Sequence, residues 1–125
     1  MSKKYKPQWR QTPFQHIVYT LCQTRKQIKK TGFEPTNSTS DGNVTFYTKG
    51  NECAAIVYLR KNNRTDIENF GLIVHEAVHI WQEVKLRMGE ENPSLEFEAY
   101  SIQAIAQDLF EIWRDLNNDM EKPTN

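Results

Sequence analysis

The segment His75-Glu76-Ala77-Val78-His79 holds two of the three histidines of the chain, four positions apart, with a carboxylate directly after the first. On an α-helix, side chains at i and i+4 lie on one face. Both imidazoles can then donate to a single metal ion, while the glutamate at i+1 is rotated away and reaches past the ion to a water. A catalytic zinc takes three protein ligands and keeps a fourth position for water, whose pKa it brings down towards neutrality. The residue types and their spacing thus predict His75 and His79 as metal ligands and Glu76 as a general base.

A third ligand must come from elsewhere in the chain, and Glu96 and Glu98 are the candidates. Leu95, Ile102, Ile105, Leu109, Ile112 and Leu116 recur at steps of three, four and seven, and Glu98 falls within that apolar stripe. Glu96 shares the other face with Tyr100, Gln103 and Gln107. A carboxylate on a core-facing stripe is costly unless it is paired or bound to a cation. Glu98 is therefore the expected third ligand, and the expected cofactor is one Zn²⁺ per chain.

These side chains need two helices to hold them. Thr65 and Glu68 form a capping box with Asp66 at the positive end, so a helix is expected from Asp66 to Met88, stopped by Gly89. Its central turns, Phe70 to Trp81, are apolar almost all round, which predicts a buried helix. Pro93 and Ser94 open a last helix running antiparallel to about Asn117, leaving residues 118–125 as a flexible tail. Upstream, Val44–Thr48 and Cys53–Arg60 read as strands joined by Lys49-Gly50-Asn51 in a hairpin. Ala54–Leu59 is almost continuously apolar. Thr12 and Pro13 predict the start of a first helix that runs to Lys30, with Phe14, Ile17, Val18, Leu21 and Ile28 inward and His16 on its polar side. The expected class is α+β: one domain over residues 1–125, with an N-terminal helix, a small antiparallel sheet, a metal-site helix and a ligand helix.

Composition sets the outer limits. With 125 residues, 38% hydrophobic and 11% aromatic, the chain suffices for one folded domain and excludes wholesale disorder. The apolar stretch around Leu72–Trp81 is interrupted by His75, Glu76 and His79, so no membrane span is expected. The N-terminus lacks the apolar run of a signal peptide, and Cys22 and Cys53 are isolated, so a cytoplasmic location is expected. Net charge is zero, yet half of the 16 basic residues fall within the first 33 positions, which hold no acid. A basic arm over residues 1–12 could touch nucleic acid. The preferred reading is internal: a basic first helix against an acidic remainder.

With HEAVH on one helix and Glu98-Ala99 early in the next, the chain resembles the gluzincin class of zinc metallopeptidases, in its minimal form. The longer string HEAVHIWQ (His75–Gln82), with Glu96-Phe97-Glu98-Ala99-Tyr100, is similar to small peptidase-like proteins of tailed phages, which would place it in the host cytoplasm. The resemblance covers about residues 44–115. It implies a zincin-like fold, zinc held by His75, His79 and Glu98, Glu76 as general base, and a peptide or protein substrate. It also implies that the strand within Ala54–Leu59 offers its edge to an extended peptide. Larger gluzincins carry a histidine or tyrosine for the oxyanion; no histidine follows His79, and Tyr58 and Tyr100 are the candidate tyrosines. Two rival readings remain: a metal-stabilised module that grips a partner protein without cutting it, and a nucleic-acid-associated protein docked through its basic N-terminus.

Overall fold

The structure, a computed structural model, describes residues 5–12, 16–37 and 40–121. In chain order it comprises β1 (Arg10–Gln11), β2 (Ile17–Cys22), α1 (Arg25–Lys30), β3 (Gly42–Lys49), β4 (Glu52–Leu59), α2 (Asp66–Met88) and α3 (Leu95–Glu121). The α+β class is as expected. The sheet order is β1-β2-β4-β3, with β2 parallel to β4 and the other pairs antiparallel. The sheet is therefore mixed, not antiparallel.

The main departure is at the N-terminal end. Where the sequence predicts one helix to Lys30, the chain forms β2, a sharp break at Gln23-Thr24, and the six-residue α1. Ile17-Val18-Tyr19-Thr20-Leu21-Cys22 is rich in β-branched and aromatic residues, which favour a pleated surface. Five of its six residues are buried, because β4 lies beside it and layers cover both faces. A run buried on both sides loses its alternation, so helical spacing fits it equally well. Thr12, read as the cap of that helix, instead donates its N–H and hydroxyl to the Ile17 carbonyl, while Pro13 and the inward Phe14 lie outside the described residues.

Side chains of β2 and β4 alternate between two cores. Ile17, Tyr19, Leu21, Cys53, Ala55, Val57 and Leu59 face α2 and α3, where Ile73, Ala77, Ile80, Trp81, Ile105, Leu109 and Ile112 meet them. Cys22 and Ile56 face the other way, onto Ile28 of α1 and the rings of Trp9, Phe33, Tyr47 and Tyr58. The helices run antiparallel, since Phe70 packs on Phe110 and Trp113 while Trp81 packs on Phe97. Tyr19, only 1% exposed, donates its hydroxyl proton to Asp108 of α3, tying sheet to helix.

Helix α2 starts and stops where its sequence says. The capping box at Thr65 and Glu68 is formed, and Gly89 closes the helix with φ at 72°, a left-handed value that favours glycine. It is not buried all round, however: Phe70 and Val74 are each 41% exposed. The covering helix α3 and the sheet occupy only part of its circumference.

Candidate metal centre

Helix α2 presents His75 and His79 to solvent and Glu76 inward. The two Nε2 atoms stand 3.2 Å apart. Zinc–imidazole bonds of about 2.0–2.1 Å at tetrahedral angles put two ligand nitrogens about 3.3 Å apart. The helix has therefore already set the histidines at the edge length of a zinc tetrahedron. Gln82 Oε1 lies 3.0 Å from His79 Nδ1. With Nδ1 donating its proton to that oxygen, the lone pair of His79 is on Nε2, facing its neighbour; fixing the tautomer in this way is how outer hydrogen bonds prepare a metal ligand. The donor atoms of His75, Glu76 and His79 all lie within 4.8 Å of one another.

Glu76 is 4% exposed. Its carboxylate faces the start of β3, where a β-carbon on Gly42 would lie 3.8 Å from Oε2 and 3.4 Å from Leu59 Cδ1. Burial raises the pKa of Glu76, and the two histidines oppose that rise. A carboxyl group held in apolar surroundings beside a cation-binding pair has the environment of a proton acceptor tuned upward.

Glu98 keeps the predicted phase but meets different partners. It projects towards α2, where Trp81 Nε1 donates to Oε2 at 2.7 Å and Lys85 Nζ lies 3.6 Å away. At 100° per residue, Lys85 and Trp81 leave α2 about 100° and 140° round from the histidine pair. The structure thus brings together His75, Glu76 and His79 and leaves Glu98 outside that group. The apolar stripe of α3 is buried at Ile105, Leu109, Ile112 and Leu116, but Leu95 at its start is 82% exposed. Phase along α3 shows which face looks at α2; it does not show which turn of α2 it meets. Gln82 carried no sequence signal beyond lying three residues after His79.

Three further expectations concern the edge of β4, the two tyrosines and the basic first helix. Strand β4 pairs with β2 on one side and β3 on the other, so it has no free edge; β3 is the edge strand on that side. Tyr58 lies on the sheet face away from α2, and Tyr100 is 65% exposed. The basic first helix is cut down to α1: Lys26, Lys29 and Lys30 are exposed on it, and among the described residues no ion pair joins a lysine or arginine of positions 5–33 to an acid. Lys3 and Lys4 lie outside the described residues.

Comparison with family profiles, curated proteins and solved structures finds no match to this chain. No helix among the described residues is long and apolar enough to cross a membrane.

Proposed function

We propose that the chain is a zinc-dependent peptidase of gluzincin type. The observation that carries this reading is the 3.2 Å separation of two histidine Nε2 atoms beside an inward carboxylate. His75 and His79 would hold the ion; Glu98, whose partners Trp81 and Lys85 leave α2 about 100–140° round from the pair, would become the third protein donor through a shift of α3 on α2. Zinc at such a site supplies Lewis acidity, acidifying water and polarising a carbonyl oxygen. Glu76 takes a proton from water as it attacks the peptide carbonyl carbon, then passes it to the departing amine nitrogen. Burial favours both steps, because a carboxyl group with a raised pKa holds the proton long enough to deliver it. The free edge of β3, beside Glu76, supports an extended peptide as substrate, bound by backbone hydrogen bonds.

The test is cleavage of an unfolded protein by wild type and Glu76→Gln, both zinc-loaded. The variant keeps size and fold but cannot accept the proton, and turnover should fall by about 10²–10⁴-fold. Equal rates would assign the cleavage to a contaminant. Absence of cleavage by either, with zinc bound, would favour a metal-stabilised module that binds a partner without cutting it.

A further inference from the structure

The two parallel strands end at one place. Gln23 follows the last residue of β2, and Arg60 follows Leu59 at the end of β4. Between these ends, the start of α2 and the far end of α3 lies a cavity of about 370 Å³. None of His75, Glu76 and His79 lines it. Ligands of sheets with parallel strands gather outside the carboxyl ends of those strands, and a long helix beginning there adds partial positive charge. Arg60, Lys61, Arg64 and Arg114 line the cavity against a single acid, Asp66. Asp41 lies close by, bound to Arg60 at 2.7 Å and 3.6 Å from Arg64, and Asp115 lies 3.7 Å from Arg114.

Two buried polar atoms at this cavity have no hydrogen-bond partner within the described residues. Gln23 is 4% exposed; its Nε2 donates to Asn117 at 3.0 Å, but its Oε1 has no donor. Arg64 spends Nε on Asn69 and Nη2 on the Arg60 carbonyl. Its Nη1 has only Asp41 Oδ2 at 3.6 Å, beyond hydrogen-bond range. Buried groups of this kind are costly unless something completes them. One is an acceptor and the other a cationic donor, so a ligand that completes both carries an oxygen acceptor and a proton to give.

We propose that this cavity is a second site, which binds a small molecule bearing a phosphate group. Arg64 and Arg114 take the phosphate oxygens, and Gln23 Oε1 accepts from a hydroxyl of the same ligand. A phosphate group fits better than a carboxylate, because its several oxygens reach more than one guanidinium.

The experiment is amide NMR titration of the whole chain at constant ionic strength with inorganic phosphate, ribose 5-phosphate, ribose and acetate. Saturable shifts centred on Gln23 and residues 60–66 are expected with inorganic phosphate and, more tightly, with ribose 5-phosphate. Ribose and acetate should leave these amides in place. Arg64→Gln should weaken ribose 5-phosphate binding at least about tenfold, the loss of a charge-assisted hydrogen bond. Arg64 also braces Asn69, so Arg114→Gln, at an exposed position, provides the variant that keeps the fold; about three- to tenfold weakening is expected. His79→Ala should bind as wild type does, which separates this site from the metal centre. Non-saturable shifts spread over the α1 lysines, acetate matching phosphate, or unchanged affinity in Arg114→Gln would each overturn the proposal.

Discussion

Replacing His79 with alanine tests the metal centre most directly, because the residue does little for the fold alone. Its ring contacts His75 and Gln82 at the solvent-facing side of α2, and exposed substitutions of this kind move stability by about 0.5 kcal/mol or less. Zinc changes the picture. An ion present at a hundred times its dissociation constant stabilises the folded state by about 2.7 kcal/mol. In a domain of this size each kcal/mol raises Tm by about 4 °C, so wild type should gain roughly 10 °C. Four-donor zinc sites are worth about 10–16 kcal/mol, or about 3 per donor, so losing one nitrogen weakens binding by at least about a hundredfold. At the same zinc concentration the variant would then sit near its own dissociation constant and gain only about 0.4 kcal/mol, or one to two degrees. Thermal melts of both proteins, each with chelator and with zinc, measure this directly. Equal zinc-induced shifts in the two proteins, or none in wild type, would refute the assignment.

Glu98→Gln should weaken zinc binding at least tenfold, by the loss of a donor, while Glu96→Gln should not; titration followed by Trp fluorescence reads both affinity and the release of Trp81. If neither variant changes affinity, Glu98 serves only to clamp α3 to α2. Tyr19→Phe removes the hydroxyl that bridges β2 to Asp108 and should lower stability by about 1.5–3 kcal/mol in chemical denaturation, as for a hydrogen bond to a charged group. Burial pushes the Cys22 thiol up to about 11, opposed in part by its hydrogen bond with Tyr5. Since the thiolate is the reactive form, alkylation of Cys22 in the folded protein should be slow at pH 8, rise with pH towards 11, and become fast on unfolding.

Local signals fixed the helix that carries the site. Thr65 and Glu68 are a capping box wherever the chain folds around them, and Gly89 supplies the left-handed residue that ends α2. The hairpin turn at Gly50-Asn51 is equally local. What could not be read depends on distant partners. Ile17–Cys22 is a strand because β4 takes its hydrogen bonds, and nothing within those six residues names β4. The stripe on α3 placed Glu98 towards α2, but only the packed pair decides that it meets Trp81 and Lys85. The cavity at Gln23 and Arg64 joins residues from three stretches of the chain, so no single one carries its signature.

The parallel pairing of β2 with β4 also governs how the molecule assembles. The β3–β4 hairpin and the α2–α3 pair close over short connections, and such contacts form early at small entropic cost. Residues 17–22 must instead find 53–58 across the whole of α1, the following loop and β3. Until they do, β4 offers an open backbone edge bearing Cys53-Ala54-Ala55-Ile56-Val57, with neither charge nor proline to repel a second chain. A chain slow to dock β2 would therefore be lost to intermolecular strand pairing while its helices were already formed, and yield on refolding would fall with protein concentration.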